Sequence, residues 1–170
     1  HYEVLRRCPG FTKLCGGPLE MIALRFSRAA LGSAPRWVRR FSDGKFDSEF
    51  VAAYNKMASN HAHPKGPWPL MCQAVVKHLG VGSTGTIVDL ASGPGQPAIT
   101  IAKELPGAVV ISTDVTEDMV AAAAKAGADI PNLRTEVADT QDLKMFGTGS
   151  VDAVTCCYGY MFPPDKAKAL

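Results

Sequence analysis

The stretch of residues 86–98, with the sequence TIVDLASGPGQPA, contains the clearest fold signal in this chain. Its first six residues form a short apolar run that is typical of a buried strand, apart from the carboxylate of Asp89. Gly93 and Gly95 follow in a tight turn, and Pro97 suits the beginning of a helix. The stretch therefore predicts a strand, a glycine-rich turn and a helix in immediate succession.

The same alternation continues on the C-terminal side. Three further strands are predicted at residues 108–114, 133–139 and 151–158, and Thr116 is a candidate N-cap for a helix between the first two of them. Strands that alternate with helices of about ten residues indicate βαβ units and a parallel sheet. We expect an α/β fold, a Rossmann-like parallel sheet with helices on both faces.

Two helices are predicted ahead of the first strand. Apolar and aromatic residues at helical spacing, among them Tyr54 and Met57, indicate an amphipathic helix over residues 47–59. Pro69 is placed to begin the second helix, which ends near Gly80. Both helices belong to the same domain as the sheet.

The composition excludes several classes of protein. The chain has 170 residues and a net charge of +2, and its 46% hydrophobic and 20% charged residues are typical of a globular domain. Five scattered cysteines provide neither a disulfide framework nor the spacing of a metal site. No apolar run approaches the ~20 residues of a membrane-spanning helix. We expect no metal, no membrane span and no nucleic-acid partner.

Positive charge is concentrated at the N-terminal end. Residues 1–42 carry eight Lys or Arg against two acids, and residues 21–42 contain five arginines and no acid. An Arg-rich, acid-free and weakly amphipathic segment is typical of a mitochondrial presequence, although a plastid transit peptide, a basic surface arm and a nucleic-acid patch remain alternatives. We divide the chain into a basic segment, residues 1–45, which is a presequence or disordered, and a domain over residues 46–170. We expect a mitochondrial location, with plastid and cytoplasm as alternatives.

Three carboxylates fall in or after predicted strands, where ligands bind in open parallel sheets. Asp114 closes the second strand, and its carboxylate can accept two hydrogen bonds from the vicinal hydroxyls of a ribose. Asp139 follows the third strand and can accept from an adenine amine, but a turn or capping role is open for both residues. Asp89 would repel a pyrophosphate and would welcome an ammonium group, although the glycine turn also fits the loose dinucleotide fingerprint.

Four blocks of the sequence resemble the signatures of class I S-adenosylmethionine-dependent methyltransferases, in the family's order. They are IVDLASGPGQPA (87–98), ISTDVTEDMV (111–120), VADTQDL (137–143) and VDAVTCCYGYMF (151–162). Within this superfamily the chain is similar to the type 11 group that includes quinone-biosynthesis C-methyltransferases, and AYNKMA (53–58) resembles their helix ahead of the core. Ala91 replaces the family's first glycine, and we expect it to end the strand with ordinary backbone angles.

The resemblance implies S-adenosylmethionine as cofactor and a small molecule as methyl acceptor. It implies that the glycines let the backbone approach the methionine part, with Asp89 near the ammonium group. Asp114 would take the ribose hydroxyls, Val115 would pack on adenine and Asp139 would accept from its amine. Tyr54 would close over the cofactor, or else serve only core packing. The cofactor-binding residues implied are Tyr54, Asp89, Ala91, Gly93, Gly95, Asp114, Val115 and Asp139.

The resemblance also implies a sheet with strand order 3-2-1-4-5-7-6, of which this sequence supplies strands 3-2-1-4. We therefore expect a C-terminally truncated methyltransferase, its cofactor-binding half, which binds cofactor weakly, self-associates and turns over little. No catalytic base, acceptor or oligomeric state follows from the sequence. Tyr158 and Tyr160 are the candidates for contact with the acceptor. Two other functions remain open: an NAD(P)-binding oxidoreductase, and a methyltransferase-like module that binds a partner without catalysis.

Overall fold

Helices and strands alternate along the chain. A computed structural model of the protein describes residues 51–54, 56, 63 and 65–169, so the basic segment at residues 1–45 lies outside the described residues. The elements are α1 (Pro67–Leu79), β1 (Thr86–Asp89), α2 (Ala98–Glu104), β2 (Val109–Asp114), α3 (Glu117–Ala126), β3 (Leu133–Val137) and β4 (Ala153–Thr155). A 3-10 turn at Gly159–Met161 follows β4, and residues 51–54 and 56 are helical. None of the helices in the described part combines the length and apolarity that a bilayer crossing requires.

The four strands form one parallel sheet with the order β3-β2-β1-β4. This confirms the predicted fold class and strand order. The register places Asp89 of β1 opposite Ser112 of β2 on one side and opposite Thr155 of β4 on the other. The carboxyl ends of β1, β2 and β4 therefore lie side by side, and the segments that follow them share one edge of the sheet.

The fourth strand is much shorter than predicted. It ends at Thr155, so Cys156 and Cys157, which the prediction included, lie beyond it. The strand cannot reach its predicted end at Tyr158, because residues 157 and 158 form a bend and Tyr158 has a left-handed φ of 65°.

The apolar core lies between α1, α2 and the middle of the sheet. Pro67, rather than the predicted Pro69, occupies the first position of α1, and Gly80 ends that helix with a φ of 85°. The buried residues of this cluster are Cys72, Val75, Ile87, Ala98, Ile101, Ala102, Leu105, Ala108 and Val110. Burial of these side chains fixes α1 and α2 against β1 and β2.

Asn132 fastens the amino-terminal end of the sheet. Its Nδ2 atom donates to the carbonyl oxygens of Ala102, Leu105 and Ala108, each at 3.0 Å. Ala102 would normally accept from the N–H four residues later in the helix, but that position is Pro106, which has no N–H. The amide of Asn132 therefore satisfies the Ala102 carbonyl, which α2 leaves open, and is a second donor to Leu105 O, which also accepts from the N–H of Ala108 at 3.0 Å.

Candidate functional site

The turn after β1 is built from left-handed backbone. Ala91, Gly93 and Gly95 have φ values of 51°, 57° and 102°. Two hydrogen bonds of 2.8 Å hold the start of the turn between its neighbours: the N–H of Leu90 donates to Thr155 O, and the N–H of Ser92 donates to Thr113 O. The turn is thus attached to β4 and to β2 before it enters α2.

Ala91 departs from the expectation of ordinary backbone angles, which is wrong. The strand ends at Asp89, and the chain must turn at once, so residue 91 takes the left-handed conformation whatever its side chain. For a residue with a Cβ this costs about 1–2 kcal/mol. Gly159 lies against Ala91, since a Cβ added to Gly159 would overlap the Ala91 Cβ. A glycine after β4 therefore makes room for the alanine.

The two glycines of the turn serve different purposes. A Cβ on Gly95 would come within 2.8 Å of Ile99 Cδ1 and 3.2 Å of Ala123 Cβ, so the space beside it is filled by α2 and α3. A Cβ on Gly93 would meet only Tyr54 Cε1 at 3.6 Å and a more distant sulfur atom. Gly95 lets the helices pack closely, whereas Gly93 lies at the more open side of the turn.

Asp114, the last residue of β2, connects the turn to α3. Its Oδ2 accepts from the N–H of Gly93 and its Oδ1 accepts from the N–H of Thr116, each at 3.0 Å. The Thr116 side chain makes no capping hydrogen bond, which differs from the predicted side-chain cap. Burial raises the pKa of Asp114, and the two backbone donors act in the opposite direction. Each carboxylate oxygen keeps capacity for a further donor.

Asp89 is fully buried at the end of β1. Its Oδ1 accepts a hydrogen bond of 2.6 Å from the hydroxyl of Thr155. Its Oδ2 and the Oγ of Ser92 have no hydrogen bond of good geometry within the described residues. Burial raises the pKa of Asp89 to about 6, while the Ser92 hydroxyl, the Thr155 hydroxyl and the Ala98 backbone N–H oppose that shift. A buried carboxylate with an open oxygen favours a polar or cationic ligand.

Tyr54 lies beside the glycine turn. It packs against a small cluster of Val51 and Met119, and its ring is close to Gly93. Burial raises the pKa of the Tyr54 phenol, and the nearby Cys157 and Asp114 add to that shift. The phenol therefore keeps its proton at neutral pH. The sequence left open whether Tyr54 covers the cofactor or only packs in the core. Its position beside Gly93 and against Val51 and Met119 is compatible with both roles.

Val115 and Asp139 form the rim of the site. Val115 follows Asp114 and is 59% exposed. The N–H of Ala138 donates to Asp114 O at 3.0 Å, which brings the end of β3 beside the end of β2. Asp139 is exposed there, and its Oδ1 accepts from the N–H of Gln141 at 2.8 Å, so it also has the turn role that the sequence left open.

The segment after β4 closes the other side. Burial raises the pKa of Cys156 to about 11 and that of Cys157 to about 12, so both thiols stay protonated at neutral pH. The hydroxyl of Tyr160 donates to the carbonyl of Lys166 and holds its own loop. Tyr158 is 52% exposed and is the better placed of the two tyrosines to meet an acceptor.

Within residues 65–169 no cluster of His, Cys, Asp or Glu is suited to a metal ion.

Sequence reasoning missed three residues around Asp89 and Ala91. Thr155 donates to the Asp89 carboxylate, Thr113 donates to the Asp89 carbonyl oxygen at 3.0 Å, and Gly159 accommodates Ala91. The signal for Thr155 was a hydroxyl at the end of an otherwise apolar strand, since a buried hydroxyl needs a partner. The partner itself follows only from the register of β1 and β4.

Comparisons with known proteins agree with this geometry. A family model described as a methyltransferase domain matches residues 87–170. A ubiquinone/menaquinone biosynthesis C-methyltransferase of Geobacter sp. (strain M21) is 30% identical over 99 residues, which cover 56% of this chain and 42% of that protein. An NAD-dependent alcohol dehydrogenase of Saccharolobus solfataricus is 29% identical over 114 residues, which cover 62% of this chain and 33% of that protein.

A solved structure has the same fold. The crystal structure of a SAM-dependent methyltransferase from Aquifex aeolicus matches with a TM-score of 0.54 at 19% identity, and the match covers 73% of this chain and 63% of that one. The chain spans less than half the length of the curated relatives that it matches.

Proposed function

We propose that this chain is part of a class I S-adenosylmethionine-dependent methyltransferase, and that the whole protein binds S-adenosylmethionine and transfers its methyl group to a small-molecule acceptor; the support is the methyltransferase-domain model over residues 87–170 and the C-methyltransferase relative. The proposal rests on one observation: the glycine turn, Asp89 and Asp114 lie together at the carboxyl ends of β1 and β2. Ligands of open parallel sheets bind at this edge. Tyr54 lies beside the same turn and completes the site.

The charge of the site favours a cationic ligand. Asp89 is fully buried and Asp114 is partly buried; burial raises the pKa of Asp89, and the charge of Asp114 adds to that shift. The sulfonium and the ammonium group of S-adenosylmethionine are both positive, so each lowers the cost of holding the carboxylates ionised.

We assign each residue of the site to one part of the cofactor. We expect Asp114 to accept from the ribose hydroxyls, with Val115 against the adenine ring and Asp139 near its amine. The open oxygen of Asp89 would face the ammonium group, directly or through water. Gly93 would let the backbone approach the methionine part, with Tyr54 above it.

A nicotinamide dehydrogenase is the second candidate, since one relative is a dehydrogenase and the strand order 3-2-1-4 is common to both folds. In such an enzyme the pyrophosphate binds free N–H groups at the start of the helix after β1. Here the N–H of Ala98, the first residue of α2, lies close enough to Asp89 to lower its pKa. A pyrophosphate would have to compete with a buried carboxylate for that donor, which favours the methyltransferase.

Methyl transfer requires mainly that the acceptor and the methyl group be aligned. When bound, S-adenosylmethionine supplies a methyl group on a good leaving group. Orientation of the reacting groups contributes up to ~7–11 kcal/mol in well-aligned systems. The thiols of Cys156 and Cys157 and the phenol of Tyr54 have raised pKa values, so none of these three serves as a base at neutral pH. The residues after β4, with Tyr158 exposed among them, would position the acceptor.

Calorimetry separates the two candidate cofactors. S-adenosylhomocysteine and NADH are titrated in parallel into this chain, and we expect heat of binding with the first alone. Binding of NADH alone would contradict the proposal. Transfer of label from S-adenosylmethionine to a small-molecule extract, catalysed by the full-length protein, then tests turnover. Binding without any transfer would favour the non-catalytic module.

We also propose that residues 21–42 direct the protein to mitochondria. The support is compositional: five arginines without an acid in a weakly amphipathic stretch. A reporter fused to these residues should enter mitochondria, and replacement of Arg25, Arg28, Arg39 and Arg40 by Gln should abolish the import. A plastid or diffuse cytosolic signal from the native fusion would contradict the proposal.

A further inference from the structure

The side chains of Asp89 and Thr155 form a hydrogen bond between neighbouring strands in the interior of the protein. The two residues are register partners in β1 and β4, and the Thr155 hydroxyl donates to Asp89 Oδ1 at 2.6 Å. Their side chains are almost inaccessible, with 0% exposure for Asp89 and 4% for Thr155. The backbone bond from Leu90 N–H to Thr155 O holds the strands together directly beside this contact.

We propose that Thr155 is a positioning residue, which fixes the orientation and the negative charge of Asp89 at the cofactor site through this hydrogen bond. The inference rests on the proposed function. With Oδ1 engaged by Thr155, Oδ2 is the oxygen that lacks a hydrogen bond of good geometry in the described residues, and the Ser92 hydroxyl and the Ala98 N–H lie near the same carboxylate. We expect Oδ2 to be the oxygen that faces the cofactor.

The surroundings of Asp89 make its charge depend on a few donors. Burial and the charge of Asp114 act against ionisation, and the thiols of Cys156 and Cys157 and the phenol of Tyr54 are the other titratable groups near it. The groups that favour ionisation are the hydroxyls of Ser92 and Thr155 and the N–H of Ala98. Loss of one hydrogen bond to a charged group corresponds to a rise of about one to two pH units in the pKa of Asp89.

The position of Thr155 also connects the two sides of the site. β4 ends at this residue, and the chain continues directly into residues 156–162, which we expect to reach the methyl acceptor. A single side chain therefore joins the strand on the acceptor side to the carboxylate on the cofactor side.

Three variants test the inference. Thr155→Val keeps the shape and removes the donor, whereas Thr155→Ser keeps the donor. Thr113→Val is the matched control, because the Thr113 hydroxyl is equally buried and donates to the backbone carbonyl of Asp89 instead of its carboxylate. The titration of the Asp89 carboxyl carbon is followed by NMR without cofactor, and the affinity for S-adenosylhomocysteine is measured from pH 6 to pH 9.

We expect Thr155→Val to raise the titration midpoint of Asp89 by about one to two pH units. Affinity at pH 7 should fall about two- to tenfold, in line with the smaller ionised fraction, and should recover at pH 9. Thr155→Ser should restore both quantities, and Thr113→Val should leave the midpoint unchanged. An unchanged midpoint in Thr155→Val, or an affinity loss that is equal at every pH, would overturn the inference.

The two measurements keep this inference separate from the proposed function. If the native chain fails to bind S-adenosylhomocysteine at any pH, the proposed function fails, whereas the NMR midpoint still decides whether Thr155 controls the charge of Asp89. If Thr155→Val does not fold, Thr155→Ala, which also removes the donor, takes its place: its midpoint must rise relative to Thr155→Ser, and equal midpoints would overturn the inference.

Discussion

The two ends of the parallel sheet are built in opposite ways. At the amino-terminal end, the two N–H bonds of the Asn132 amide are shared among three carbonyl oxygens, and the neighbouring core is apolar. At the carboxyl end, Asp89 Oδ2 and Ser92 Oγ are buried without a good hydrogen bond in the described residues. Two non-glycine residues there, Ala91 and Tyr158, adopt left-handed backbone angles.

The difference supports the proposal that the carboxyl end is a ligand site and that the amino-terminal end serves stability. Unsatisfied polar groups and backbone strain reduce stability, and they persist where a binding partner relieves them. The amino-terminal end has little to gain from a ligand, because its polar groups are already paired. Substitutions at the two ends should therefore change stability in opposite directions.

The largest effect is expected from Asn132→Asp, which replaces the amide at the amino-terminal end of the sheet by a carboxylate. A carboxylate at this position would lose the Nδ2 donor and would face the carbonyl oxygens of Ala102, Leu105 and Ala108. We expect a loss of about 3 kcal/mol or more in the free energy of unfolding at pH 7. Urea unfolding measures it, with Asn132→Gln as a control that retains a donor. A loss below about 1 kcal/mol would remove the contrast between the ends.

The opposite exchange, Asp89→Asn, should stabilise the protein at neutral pH. The folded-state pKa of Asp89 is raised from 3.8 to about 6, so the folded protein prefers the protonated form. This group's contribution to stability is therefore greatest below pH 4 and declines as the pH rises to about 6. At pH 7 the penalty is about 3 kcal/mol, which the asparagine variant avoids.

The asparagine at residue 89 can still accept from Thr155, and its amide can donate to the open Ser92 Oγ. Unfolding curves at several pH values should show a smaller decline between pH 4 and pH 6 for Asp89→Asn than for the native chain. Binding of S-adenosylhomocysteine should be weaker in the same variant. A variant that is less stable than the native chain at pH 7 would show that the carboxyl end is not under strain from this charge.

Within the carboxyl end, Asp114→Ala should weaken cofactor binding more than Asp139→Ala. Asp114 is expected to accept two hydrogen bonds from the ribose, and it also holds the N–H groups of Gly93 and Thr116. We expect a loss of tenfold or more, about 1.4 kcal/mol, for Asp114→Ala and roughly two- to fivefold for the exposed Asp139. Calorimetry with S-adenosylhomocysteine on both folded variants decides, and equal losses would argue against the ribose role of Asp114.

The smallest expected effect belongs to Ala91→Gly. The left-handed conformation costs alanine about 1–2 kcal/mol, and the greater freedom of glycine in the unfolded chain offsets about half of the gain. We expect the free energy of unfolding to rise by about 0.5–1 kcal/mol, visible as a higher melting temperature. Gly80→Ala provides the reverse comparison, because Gly80 has a φ of 85° and open space for a Cβ, so the strain acts alone. Destabilisation by Ala91→Gly would mean that contact with Gly159 outweighs the strain.

Much of the fold follows from local patterns. The apolar run before the glycine turn, the prolines and glycines at helix ends and the alternation of strands and helices led to the strand order that the structure has. Asp114 and Asp139 could be placed at the carboxyl edge because Asp114 ends a recognisable strand and Asp139 comes just after another. The left-handed angle of Ala91 escaped the sequence, since alanine normally avoids it and only the abrupt end of β1 imposes it.

The α/β class, the order of the elements and the carboxylates at the edge of the sheet could be predicted, because they depend on periodicity and on residue types close together in the chain. The hydrogen-bond partners of the buried polar groups could not. Thr155 meets Asp89 across 66 positions, and Asn132 reaches back to carbonyls 24 to 30 positions earlier. Strand register and helix packing bring these atoms within hydrogen-bonding distance, and no local pattern records which distant group will satisfy a buried one.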